Sequence, residues 1–359
     1  MEFEIFYENL AHFMHGMAAM LFLSGSVFMY FRRKESRLTN FLFIEMVFWS
    51  FVQLKDIDYL FPGVWDNVYV SGIQLSIDMW CIPVTALLFF DIISPKWVTV
   101  KRVSVVMAPS VAFTAAYIIT RSYTLFQISL MYANIIGILT VIIVLFASSR
   151  YDNFIKRNFS YIENISLSWV RKVISIFFIL MLVWTVIMTD HASSTWLNDV
   201  TYYIILIMAW TLIIYFTVRH QVVEEVPDYI NPFSHENITA RPEANDKFIF
   251  EKQFLKAMEE DKMYLNPKLT VAEIAKEIGT NRSYLSEYIN GHLGVTFYEY
   301  VNSLRVAEAK NLLSADDGSR SLEQIAEECG FNSPSTFRRS FIRQTGMTPH
   351  KFRKDFGGI

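Results

Sequence analysis

Seven apolar stretches occupy most of residues 1–220, and no other feature limits the possible folds as much. They run over Asn9–Phe31, Leu38–Leu54, Tyr69–Ile93, Val103–Thr120, Tyr123–Ser148, Val173–Thr189 and Val200–Val218. Each lies near the ~20 residues that carry a helix across ~30 Å of hydrocarbon. Lipid offers no hydrogen bonds to a free backbone, so apolar spans of this length must be helices. The chain is 53% hydrophobic and 19% charged, against about 45–50% and about 25% in soluble domains. A single water-soluble body is therefore excluded. So is intrinsic disorder, because apolar residues abound and the net charge is only −3. With Cys81 and Cys329 as the only cysteines, a disulfide framework and a cysteine-built zinc site are excluded too.

Charge divides the chain in two. Residues 1–246 hold 36 charged side chains, while residues 247–359 hold 31 in less than half the length. The expected organisation is a seven-span domain over 1–220, a Pro-containing polar linker over 221–246 and a soluble domain over 247–356. With the first loop inside, the inward segments carry thirteen Lys and Arg, and the opposite loops only Lys55 and Arg121. That asymmetry puts the N-terminus outside and the C-terminal domain in the cytoplasm. Glu2, Glu4 and Glu8 replace the basic region of a cleavable signal peptide, so the first span is expected to remain as an anchor.

Glu45 and Asp78 fall inside spans, and the sequence places no basic partner beside them within the spans. Such acids mark a ligand, ion or proton site, or else hold helix packing through a protonated or hydrogen-bonded carboxyl. They are the candidate sensing residues. His12 and His15 share a helix face, without the further acids, histidines or cysteines that a metal centre needs. Pro83 and Pro109 are expected to kink their spans. No cofactor motif, H-E-x-x-H or Ser/His/Asp constellation is present, so neither an enzyme nor a cofactor is expected. A transporter-like or lipid-active protein with a regulatory tail is the alternative reading of the front half.

The tail repeats itself. Leu269–Gly279 matches Arg320–Gly330, pairing Ile274 with Ile325, Ala275 with Ala326 and Gly279 with Gly330. After one inserted residue, Leu285 pairs with Phe337, Ile289 with Phe341 and Gly294 with Gly346. Thr270 and Ser321 stand at N-cap positions, with Gln324 completing a capping-box spacing in the second copy. The glycines fall where a chain leaving a helix needs a left-handed backbone. Apolar stripes at i, i+3, i+4 follow, with polar and basic residues opposite. This is the pattern of two helix-turn-helix units, at about 269–290 and 321–344. Arg338, Arg339, Arg343, Lys351, Arg353 and Lys354 follow one another without an intervening acid, as a phosphate-facing surface would.

From about Phe248 to Lys354 the chain resembles the DNA-binding domain of AraC-type transcriptional regulators. Leu304–Leu313 is similar to that family's linker helix, placed at about 296–314. Ile325-Ala326, Gly330-Phe331, Phe337, Phe341 and Gly346–Arg353 are similar to its C-terminal signature, with Phe352 where the family commonly has tyrosine. The resemblance implies sequence-specific promoter binding through helices at about Arg282–Asn290 and Pro334–Gln344. Its DNA-facing residues would be Asn281, Arg282, Ser283, Tyr284, Ser286 and Glu287 in the first unit. In the second they would be Ser333, Ser335, Thr336, Arg338, Arg339 and Arg343. The expectation is an all-α protein in a bacterial inner membrane, with promoter DNA, lipid and RNA polymerase as partners, a homodimer on DNA, and a small-molecule or envelope signal.

Overall fold

The computed structural model describes residues 2–56, 67–189, 196–221, 223, 249–315 and 319–357, so the 221–246 linker lies almost wholly outside the described residues. These residues are helical or in turns, and the only β pairing among them is one isolated antiparallel bridge between Phe159 and Thr270. They divide into two units. One gathers the described residues of Met1–Ser149 and Leu167–Gln221; the other gathers those of Arg150–Ser166 and of the C-terminal part from 249 onward.

The first unit holds α1 (Glu2–Arg32), α2 (Arg37–Lys55), α3 (Val68–Asp78), α4 (Cys81–Ile93), α5 (Val100–Thr120), most of α6 (Tyr123–Asn158), α7 (Ser168–Thr189) and α8 (Trp196–Arg219). Among the described residues, six runs have the length and composition to cross a membrane, with α3 and α4 counted together as one of 26 residues. The exception among the seven stretches is α2. It forms a 19-residue helix, closed at its start by a Ser36–Thr39 capping box. Arg37, Asn40, Glu45, Ser50, Gln53 and Lys55 dilute its hydropathy. The third stretch is broken at Met79–Trp80. Pro83 accounts for this, because its ring crowds the carbonyl four residues back, that of Met79, and it has no N–H to give. By contrast, α5 runs through Pro109. Packing of α1 on α2 and α8 centres on aromatic rings: Phe22 stacks on Trp49 at 5.2 Å and meets Trp210 edge-on at 5.6 Å.

In the second unit, α9 (Glu251–Leu255), α10 (Val271–Glu277) and α11 (Arg282–Glu287) precede the long α12 (Phe297–Ala315), followed by α13 (Leu322–Glu328), α14 (Pro334–Thr345) and α15 (Pro349–Phe356). Two cores form, and α12 belongs to both. Phe297 and Val301 join Phe254, Ile274, Leu285 and Ile289 in the first. Val306, Ala309 and Leu313 join Ile325, Phe337, Phe341 and Phe352 in the second. Between them lies Arg305, 1% exposed. Its guanidinium donates to the carbonyls of Tyr264 (2.7 Å), Asn266 (2.7 Å) and Ser160 (3.3 Å), and to Ser160 Oγ (3.2 Å). Burial lowers its pKa to about 10, which leaves it charged at neutral pH.

The repeat is visible in the backbone. Capping boxes close α10 (Thr270 with Glu273) and α13 (Ser321 with Gln324), so both copies carry the motif that the spacing suggested for one. Gly279 and Gly330 both lie in the left-handed region, at φ 69° and 80°. Their surroundings differ: a Cβ on Gly279 would meet nothing within 4 Å, whereas one on Gly330 would stand 2.5 Å from the Leu265 carbonyl oxygen. Gly279→Ala should therefore cost only the left-handed backbone penalty, about 1–2 kcal/mol. Gly330→Ala should destabilise the C-terminal unit by clearly more, because backbone must also move. Amide exchange over α10 and α13 in the full-length variants checks the order.

Candidate nucleic-acid interface

Each helix-turn-helix is built from the same local rules. In the first, Thr280 N–H donates to the Ala275 carbonyl at 2.8 Å, turning the chain after Gly279. Asn281 then caps α11 by accepting from the Ser283 amide at 2.8 Å. In the second, Phe331 N–H donates to Ala326 at 2.9 Å. Ser333 caps α14 by accepting from the Thr336 amide at 3.2 Å, and Pro334 stands at the first helical position, where no N–H is needed. Ala275 and Ala326 are both buried where the paired helices cross.

On α11, Asn281, Ser283, Tyr284 and Glu287 are exposed, and Ser286 accepts from the Asn290 amide group through its carbonyl (2.7 Å) and its hydroxyl (3.1 Å). The regular α-helix stops at Glu287 and passes into a π-turn over Tyr288–His292, earlier than the expected end at Asn290. On α14, Ser335, Arg338, Arg339 and Arg343 are exposed. Arg339 donates to Thr336 Oγ1 at 3.1 Å, and Arg343 pairs with Glu299 of α12 at 2.6 Å. Arg343 is thus tied to the linker helix. Thr336, expected to face DNA, is 3% exposed.

Residues 150–166 explain that burial. Sequence reading treats them as a loop between spans, yet they pack into the C-terminal unit. Phe159 bridges to Thr270, and Ser160 N–H donates to the Leu269 carbonyl at 3.0 Å. Asn158 Oδ1 accepts from Arg282 Nε (3.3 Å) and Nη2 (3.2 Å), and the guanidinium lies 5.7 Å from the centre of the Phe154 ring. Glu163 accepts from Ser333 Oγ at 3.1 Å and from Thr336 Oγ1. Three of the expected DNA-facing side chains are therefore engaged by one segment. The available signal was its length, 24 residues from Ser149 to Lys172, with Tyr151, Phe154, Ile155 and Ile165 spaced through it.

The candidate sensing acids differ in their partners. Asp78 pairs at 2.8 Å with Lys55, the last residue of α2, which stands one position beyond the expected span Leu38–Leu54. Glu45 is 1% exposed, with neither carboxyl oxygen hydrogen-bonded. His15 bonds the Gln53 carbonyl at 3.0 Å, and no cluster suited to a metal ion occurs among the described residues.

Residues 274–355 match the helix-turn-helix domain family. An uncharacterized HTH-type transcriptional regulator of Bacillus subtilis, YtdP, is 36% identical over 87 residues, which is 24% of this chain and 11% of that protein. Another, from Staphylococcus aureus strain COL, is 31% identical over 93 residues, 26% of this chain and 12% of that protein. This chain thus covers only about a tenth of either relative. Among solved structures, an AraC-type DNA-binding domain-containing transcriptional regulator from Chromobacterium violaceum is 26% identical, covering 30% of this chain and 96% of that one, with a TM-score of 0.26. The C-terminal unit therefore carries a helix-turn-helix domain similar to those of HTH-type transcriptional regulators. If Arg338 contacts a base, as the resemblance implies, Arg338→Ala should cost about 1–3 kcal/mol of DNA affinity and relax preference at one base position. Binding to a randomised set of duplexes measures both.

Proposed function

We propose that the chain is a membrane-embedded one-component transcription regulator, in which a multi-span sensor controls promoter binding by the C-terminal unit. The single observation that carries this reading is the engagement of Arg282, Ser333 and Thr336 by Asn158 and Glu163. A helix N-terminus attracts phosphate through its free N–H groups and its dipole. Glu163 offers a carboxylate to the Ser333 cap of α14, the kind of position a DNA phosphate takes in helix-turn-helix complexes. Segment and DNA would compete for the same donors, so moving the segment regulates binding. Residues 150–158 continue α6 and residue 166 leads into α7, so the segment is covalently part of the membrane-crossing helices.

In this reading α2 is the seventh span. Its polar Glu45, Ser50 and Gln53 are buried, while Ile44, Val47, Phe51 and Leu54 are exposed, the distribution lipid requires. Odd parity then joins an outside N-terminus to a cytoplasmic C-terminus, as the thirteen-to-two charge asymmetry demands. The 19 residues of α12 span ~28 Å, near the ~34 Å between successive major-groove faces, so one copy reaches two adjacent grooves. RNA polymerase and a second copy on DNA complete the set of partners.

Glu163→Ala with Asn158→Ala should raise DNA affinity of the full-length protein by about tenfold, since ~1.4 kcal/mol of competing contact is removed. Unchanged affinity and promoter output would rule out control by this segment. A reporter fused after Arg219 should be active only in the cytoplasm, and one at the N-terminus only outside.

A further inference from the structure

A cavity of about 310 Å³ lies within the N-terminal unit, at the lower end of the ~300–1,000 Å³ that small-molecule sites occupy. Three observations describe what it would hold. The first is charge. Asp56, Asp78 and Asp199 line it, and among the described residues the ammonium paired with these acids is that of Lys55, bound to Asp56 and Asp78. Three carboxylates against one ammonium repel an anion and favour a cation. The second is unmet hydrogen bonding. Among the described residues Trp49 Nε1, Gln53 Oε1 and Thr85 Oγ1 find no hydrogen-bond partner, each residue is 4% exposed, and all three line the cavity. A buried polar atom left this way costs about 1–3 kcal/mol, so a ligand that satisfies it gains affinity. The third is the wall, which includes Trp184, Tyr202 and Tyr203, the two tyrosines within electrostatic reach of the acids, and the edge-on pair Phe89 and Phe177, 5.9 Å apart. Aromatic faces attract cations and bury apolar groups together.

We propose that this cavity binds an amphipathic organic cation: an amine or quaternary ammonium with an apolar body. The ammonium sits by Asp199 and the Lys55–Asp78 pair, the body lies against Phe89 and Phe177, and Gln53 accepts a hydrogen bond. Glu45 does not line the cavity, so of the two candidate sensing acids only Asp78 belongs to this site. The inference rests on the sensor reading above and names the class of signal.

The test uses full-length protein in lipid nanodiscs and three probes of one shape: 4-phenylbutylammonium, 4-phenylbutanol and 4-phenylbutyrate. Calorimetry should show the ammonium binding at least about tenfold tighter than the alcohol, a difference of ~1.4 kcal/mol, and the carboxylate not at all. Asp199→Asn, at a half-buried position outside the ion pair, should remove most of that preference. The near-isosteric Thr85→Val should weaken the ammonium and the alcohol alike. Carboxylate binding as tight as ammonium binding, or a charge preference unchanged by Asp199→Asn, overturns the assignment. DNA affinity measured with and without the ammonium separates the two readings. Binding without any effect on DNA leaves the site standing and sinks the sensor. No binding, with the Glu163→Ala effect on DNA intact, sinks the site alone.

Discussion

The C-terminal unit depends on a buried positive charge. Arg305 sits where two small helical cores meet on one helix, and it finds only neutral acceptors there. A buried guanidinium is tolerable when nearly every donor is used, and here the acceptors come from three separate stretches of chain. Tyr264 and Asn266 bring the loop before the first helix-turn-helix against α12, and Ser160 brings residues 150–166 to the same point. The two units of the repeat are held in fixed register because both cores share α12 and one arginine closes the gap between them. Removing the guanidinium would strand several buried carbonyls at once, a cost apolar packing cannot return.

Ser160 links that keystone to regulation. The segment that completes the shell around Arg305 also carries Asn158 and Glu163 to the donors of α11 and α14. One short stretch therefore completes the shell around Arg305 and also occupies donors that the proposed function assigns to DNA. In the proposed account these roles are opposed: the contacts that order the segment are those DNA must displace. A cavity lined by acids in the N-terminal unit and a displaceable carboxylate in the C-terminal unit then form the two ends of one equilibrium. A ligand shifts such an equilibrium only by its difference in affinity for the two states.

Much of this was legible in the sequence, for identifiable reasons. Helix-turn-helix geometry is local: Thr270, Ser321, Ala275, Ala326, Gly279 and Gly330 each satisfy a requirement set by residues within a few positions, so spacing alone finds them. The linker helix was placed within one residue, 296–314 against Phe297–Ala315. Apolar stretches are equally readable, because lipid imposes one rule on every backbone group. Long-range partners were not readable. Lys55 sits 23 positions from Asp78, and Glu163 more than 160 from Ser333; no periodicity connects them. Thr336 reads as DNA-facing from its helix position, yet its hydroxyl is covered by a side chain from far upstream. The sequence points to a kink at Pro83, and the break falls at Met79–Trp80 because a proline crowds the carbonyl four residues earlier.

In the proposed mode of control, DNA and residues 150–166 exclude each other on the C-terminal unit. Hydrogen exchange measures this in the full-length protein, with a duplex selected for tight binding from a random library. Amides over 158–163, including the Ser160 N–H now bonded to Leu269, should exchange faster when DNA binds, while those of α12 stay protected. If the duplex leaves 158–163 equally or better protected, the segment is a fixed part of the DNA-binding unit and the account of its control is wrong.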